Sequence, residues 1–168
     1  MAATLTMRND SVTKRLVRKD VLERLANRIC QGEMITGMVE ISLLLCDDVF
    51  MSQLNQQYRN VSGPTDVLSF EQENPDDTNN AILGDVVISI ETALRQCGGE
   101  RSPTRKEVEL LFCHGLLHLL GYDHSTEREQ KSMRKRQAQY LGVPEETAWP
   151  ADPKRERNRL DHSSALGR

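Results

Sequence analysis

One segment limits what this chain can fold into more than any other: Thr104 to Leu120, TRKEVELLFCHGLLHLL. Apolar residues fall at 108, 110, 111, 112, 113, 116, 117, 119 and 120, and at about 100° per residue they cover nearly the whole circumference of a helix. A helix apolar on nearly all sides is expected to be buried centrally. Thr104 with Glu107 has the form of a capping box, which places the helix start there. Set into this apolar surface are His114 and His118.

The segments before it supply elements to surround such a helix. KDVLERLANRICQG puts Val21, Leu22, Leu25 and Ile29 on one helical face, with Asp20 available as a cap and Gly32 as a stop. MVEISLLLC alternates Val39, Ile41, Leu43 and Leu45 on one side, the pattern of a half-buried strand. Asp47 then caps a helix, DDVFMSQLNQQYR, whose spacing of four predicts that Phe50, Leu54 and Tyr58 are buried. NVSGPTD reads as a turn, DVLSF as a short strand, EQENPDDTNNA as an acidic loop and ILGDVVISI as a strong strand. Glu91 to Gln96 reads as a short helix ended by Gly98 and Gly99, and Glu127 to Leu141 as a charged helix broken by Gly142 and Pro144. The polar first residues carry no readable pattern.

At 168 residues, with 38% hydrophobic and 28% charged residues, the chain has the size and balance of one soluble domain. That domain is expected to run over residues 1–150, with a polar, disordered tail over 151–168. No apolar run reaches the roughly 18 residues of a membrane helix, and the N-terminus has no secretory stretch, so a cytoplasmic location is expected. In that compartment Cys30, Cys46, Cys97 and Cys113 read as free thiols; none forms a CxxC pair. A net charge of −3 leaves polyanion binding to local basic patches.

Three of the four histidines lie within HGLLHLLGYDH, residues 114–124. His114 and His118 are one turn apart, about 40° around the axis, so both rings can reach one point. On a continuous helix His124 would lie about 9 Å further along the axis than His118, too far to share an ion with nitrogen ligands near 2.0 Å. Gly121 therefore stands where a left-handed residue ends the helix and lets His124 fold back. Three neutral imidazoles leave the fourth tetrahedral position open, the arrangement of a catalytic zinc site. Core histidines are the bland alternative, but burying three unpaired imidazoles is costly. His162 falls in the tail and reads as a solvated bystander.

A zinc peptidase of the HExxH type carries its general base directly after the first histidine. Gly115 occupies that place here, Glu107 lies about 10 Å below His114, and Glu109 points to another face. Chemistry without a strong local base fits better, and phosphodiester cleavage is such a reaction: water or a ribose 2′-OH attacks phosphorus while cations neutralise the phosphate oxygens. Arg59, at the end of its helix, offers a guanidinium suited to phosphate. Asp66 is ambiguous, and Asp85 suits either an exposed strand face or a carboxylate hydrogen-bonded to a ligand histidine. The basic runs RKR (134–136) and KRERNR read equally well as solvated faces.

HGLLHLLGYDH has the form of the signature of the YbeY family of bacterial endoribonucleases, also called rRNA maturation factors. LNQQYRNVSGPTDVLSF resembles that family's arginine-bearing segment, and LGDVVIS its following strand; together the blocks span roughly residues 40 to 125. The resemblance implies an α+β fold, a single compact domain with a small mixed sheet packed against helices around the buried HxxxH helix. It implies one zinc ion held by His114, His118 and His124, with Arg59 as the functional arginine. It also implies a single-strand-specific endoribonuclease whose partner is ribosomal RNA or the ribosome, acting at the 3′ end of small-subunit RNA and in ribosome quality control. Glu71 stands where members often carry proline, the acidic loop departs from the pattern, and the N-terminal segment is more polar than the usual first strand. Two rivals remain: a metzincin-like peptidase, which shares the HxxxHxxGxxH spacing, and a structural zinc protein with a fourth protein ligand. Oligomeric state is not legible.

Overall fold

A computed structural model describes residues 3–72 and 80–150, with backbone only at 80 and 81. His162, the tail over 151–168 and most of the acidic loop lie outside the described residues. The elements run β1 (Ala3–Asn9), α1 (Lys19–Gly32), β2 (Met38–Cys46), α2 (Asp48–Arg59), β3 (Val67–Glu71), β4 (Asn80–Ser89), α3 (Ile90–Gln96), α4 (Arg101–Leu119) and α5 (Glu127–Leu141). A single 3-10 turn, Glu145–Thr147, follows. The fold is α+β: a four-stranded mixed sheet of order β1-β2-β4-β3, parallel across β1/β2 and β2/β4, antiparallel across β3/β4.

The alternation in β2 sorts its side chains as expected. Val39, Ile41, Leu43 and Leu45 join the main core with Leu22, Leu25 and Ile29 of α1 and Val108, Leu111, Phe112 and Leu116 of α4. Buried positions encircle α4, from Thr104 and Glu107 through the unbroken run Leu110 to Leu117, so it is the central helix that its composition demands.

Several local expectations are corrected. The polar N-terminal segment, which carries no readable pattern in the sequence, forms a strand: β1 lies at the sheet edge with one buried face, so only alternate residues, Ala3 and Leu5, need be fully buried. Helix α1 supports its outer edge, with Glu23 accepting from the Leu5 amide at 2.9 Å and Asn27 bonding both backbone groups of Ala3. Arg18, not Asp20, is the N-cap residue of α1, and Asp20 pairs with Arg18 and Arg24 from the first turn. Helix α1 ends at Gly32 as expected, and the glycine also leaves room for a neighbour: a Cβ there would stand 2.4 Å from the Tyr140 hydroxyl. Helix α4 begins three residues before Thr104, because Pro103 in the first turn needs no hydrogen-bond partner; the Thr104 hydroxyl donates back to the Glu100 carbonyl at 2.6 Å.

Helix α2 is rotated from its expected face. It buries Met51, Asn55 and Arg59, while Phe50 and Tyr58 are 42% and 50% exposed. Met51 enters a smaller second core with Cys46, Leu68 and Val87, the side chains that point to the sheet face opposite Val39 and Ile41. The sheet is thus covered on both sides: α1 and α4 on one, α2 on the other.

Packing governs the thiols. The four cysteines are free. Burial pushes the Cys30 thiol up to about 11 and those of Cys46 and Cys113 up to about 12, while Cys97 is raised by burial and then by Glu107 but stays half-buried. A thiol reagent at pH 8 is expected to modify Cys97 alone in native protein and all four cysteines in denaturant. Labelling of Cys113 in folded protein, read by mass spectrometry, would contradict this packing.

Candidate metal centre

The geometry of the histidine cluster is set by how α4 ends. Leu120 is the C-cap; the Gly121 amide donates to the His118 carbonyl and the Tyr122 amide to the Leu117 carbonyl, both at 3.0 Å. This paired pattern is a Schellman motif, with Gly121 at φ +103° in the region that favours glycine. The loop beyond it is anchored. Tyr122 donates to Glu33 at 2.7 Å and Tyr140 donates to the other carboxylate oxygen, tying the turn to the end of α1 and to α5. Burial and then the Glu33 carboxylate push both phenols up, which keeps them protonated as donors. Two residues on, the loop returns His124 to the helix end.

Ring centroids stand 4.7 Å apart for His114 and His118, 4.8 Å for His118 and His124, and 5.3 Å for His114 and His124. One ligand nitrogen from each lies within 4.8 Å of the others, so this group could hold a metal ion. The donor set fits one. The Nε2 atoms of His114 and His118 are 3.2 Å apart, close to the ~3.3 Å between two nitrogens bound tetrahedrally to a zinc ion at about 2.0–2.1 Å. His114 is fully buried, while His118 and His124 are half-buried, which leaves one side of the cluster accessible. Among the described residues no cysteine or carboxylate joins the group. Cys113 turns into the main core, in keeping with its place about 100° around the helix from His114.

Two further residues complete the surroundings. Gln137 of α5 is fully buried, with Oε1 2.8 Å from Nδ1 of His114 and its amide NH2 donating to the Ala148 carbonyl. The next residue, Trp149, sets its ring edge-on to His114 at 5.2 Å and His124 at 5.6 Å, with the Arg134 guanidinium 5.4 Å from its centroid. Sequence reasoning missed both. A readable signal existed for Gln137, which shares the inward face of α5 with Met133 and Tyr140 and is its one amide there.

Gly115 lies against the sheet: a Cβ would stand 2.7 Å from Val86 Cγ1 and 3.0 Å from Ser69 Oγ, and the Ser69 hydroxyl donates to the Gly115 carbonyl at 3.1 Å. The position that carries the base in HExxH enzymes therefore points into packed strands. Arg59 is the last residue of α2, at the start of the loop that leads to the edge strand β3, and is only 7% exposed, more deeply placed than a helix-terminal surface arginine. Asn60 turns the chain in a left-handed conformation, Asn55 holds the loop through the Gly63 carbonyl at 2.8 Å, and the buried Asp66 leads into β3, the edge strand that packs beside α4. Asp85, half-buried in β4, pairs across the sheet with Ser42 and Phe70; the amide of Gln137, not a strand carboxylate, meets Nδ1 of His114.

Fold and centre together define a class: small α+β proteins in which one buried helix, laid on a mixed sheet, ends at three converging imidazoles. A family model described as Endoribonuclease YbeY matches residues 6–143, and the chain belongs to that family. It is 42% identical over 126 residues to the endoribonuclease YbeY of Pelotomaculum thermopropionicum, covering 73% of this chain and 83% of that one. It is 41% identical over 128 residues to that of Moorella thermoacetica, covering 71% and 82%. A solution structure of a Thermotoga maritima protein shares the fold, with a TM-score of 0.56, 24% identity, and coverage of 98% of this chain and 99% of that one. Among the described residues no helix is long and apolar enough to cross a membrane.

Proposed function

We propose that the protein is a zinc-dependent, single-strand-specific endoribonuclease of the cytoplasm. It acts in ribosomal RNA processing, at the 3′ end of small-subunit RNA, and in ribosome quality control. The catalytic domain of this reading is residues 1–150. The observation that carries this reading is the convergence of His114, His118 and His124 at the end of α4 beside a glycine whose side is closed by the sheet. Membership of a family whose relatives are named endoribonucleases supports the substrate class.

His114 and His118 from the helix and His124 from the loop would hold the ion. Zinc supplies Lewis acidity, positive charge for phosphate oxygens and acidification of water. The chain's own part is positioning. The half-buried edges of His118 and His124 leave room for a single strand to approach, and the rigid helix end fixes the direction of approach. Arg59, which cannot lose its proton, supplies a planar fork of donors that neutralises charge gathering on the phosphate oxygens. Its burial sets it apart from a solvated helix-terminal arginine, which supports a role for it beyond the surface. The peptidase reading is disfavoured because Gly115 faces Val86, and the structural-zinc reading because no fourth metal-binding side chain joins the group among the described residues.

The test compares single-stranded RNA and a denatured protein as substrates, with and without chelator, beside His114→Ala and Arg59→Ala. RNA cleavage is expected to need metal and to fall in both variants, by roughly 100-fold or more for Arg59→Ala, with metal retained in the arginine variant. Full activity of Arg59→Ala would remove its role. Cleavage of protein alone would establish the peptidase, and cleavage of neither the structural reading.

A further inference from the structure

We propose that Gln137 is a positioning residue for the histidine cluster: one end of its amide fixes the tautomer of His114, and the other seats Trp149 against the rings. The inference rests on reading the three histidines as metal ligands. It starts from a buried triad, since Gln137, His114 and Ala148 are each fully removed from solvent. A backbone carbonyl can only accept, so the group of Gln137 that faces the Ala148 carbonyl is the NH2. The carbonyl end, Oε1, is thereby turned to Nδ1 of His114 at 2.8 Å, and an oxygen there requires a proton on the nitrogen. A neutral His114 then carries its hydrogen on Nδ1 and its lone pair on Nε2, the atom that lies 3.2 Å from His118 Nε2. The orientation of one amide thus selects which ring nitrogen is available to a cation, before any cation arrives.

The same hydrogen bond has a second consequence. It holds the chain after the Glu145–Thr147 turn against α5, and Trp149 follows directly, edge-on to His114 and His124. Trp149 walls one side of the cluster because Gln137 holds its neighbour. A glutamine joins the two tasks where a carboxylate would serve only the first: Glu at 137 still accepts from Nδ1–H but repels the Ala148 carbonyl, and Leu at 137 does neither.

That division gives the experiment. Metal affinity is measured on metal-stripped protein by competition with a chromophoric chelator, using zinc alone, and the surroundings of Trp149 by intrinsic fluorescence, which is selective because the chain has one tryptophan. Relative to the native protein, Gln137→Leu is expected to weaken zinc binding roughly 10–100-fold and to shift the emission to the red. Gln137→Glu is expected to keep zinc binding near the native value while showing the same red shift. Long-range proton–nitrogen NMR on the metal-stripped native protein should show His114 protonated on Nδ1, a readout that does not depend on either variant folding. Native zinc affinity in Gln137→Leu, equal loss of affinity in both variants, unshifted emission in both, or a bare Nδ1 on His114 would each overturn the proposal. Failure of the native protein to bind zinc would instead remove the metal-site reading, and the NMR and fluorescence results would still decide what Gln137 orients.

Discussion

His114→Ala is expected to leave the protein without bound metal and without nuclease activity, and to be the only single ligand change that also destabilises the metal-stripped protein. The loss of affinity should exceed the roughly 10–100-fold that follows removal of an outer partner, because a donor atom itself is gone. The effect on stability follows from burial. His114 is fully enclosed and bonded to Gln137, so its removal strands a buried amide oxygen at about 1–3 kcal/mol and opens a cavity beside Trp149. His118→Ala, at a half-buried position, should lose metal equally but change the stability of stripped protein little. Elemental analysis paired with urea unfolding in chelator separates the two effects. Equal stability of the two stripped variants would show that the Gln137 contact contributes nothing to folding.

Gly115→Glu, which writes the HExxH motif into α4, is expected to disrupt the fold rather than create a peptidase. The first added atom would stand 2.7 Å from Val86 Cγ1, on a fully buried strand residue that has nowhere to move. The carboxylate beyond it would be forced between helix and sheet, where an unpaired charge is strongly penalised. The combined cost should be on the order of 3 kcal/mol or more, a fall in melting temperature of roughly 6–12 °C. Gly115→Ala should show a smaller loss from the same clash. A stable Gly115→Glu protein that cleaves a denatured polypeptide would mean that position 115 faces the cluster and that α4 is docked differently from the arrangement described.

Much of the centre was legible because its causes are local. The four-residue spacing of His114 and His118, the chain reversal at Gly121 and the return of His124 depend on helix pitch and on one left-handed residue, all within eleven positions. The alternation in β2 and the all-round apolar surface of α4 likewise announce their burial without reference to partners. The ends of helices were less legible. Thr104 with Glu107 has the pattern of a start, yet Pro103 lets the helix begin a turn earlier, since a first-turn residue needs no hydrogen bond to donate.

What the chain's order of residues determined alone is the set of features that adjacent positions can enforce: a central helix, its stop, and three imidazoles able to meet. Tertiary structure decided which sides of the weaker elements turn inward. Helix α2 has two candidate stripes, and the cavity left by Cys46, Leu68 and Val87 accepts Met51, so Arg59 is buried and Phe50 is not. Strand β1 acquires its pairing from β2, and Gln137 and Trp149 reach His114 from 23 or more residues away. Such contacts are chosen by the shape and hydrogen-bonding needs of surfaces that exist only once distant segments have packed, and no local period records them.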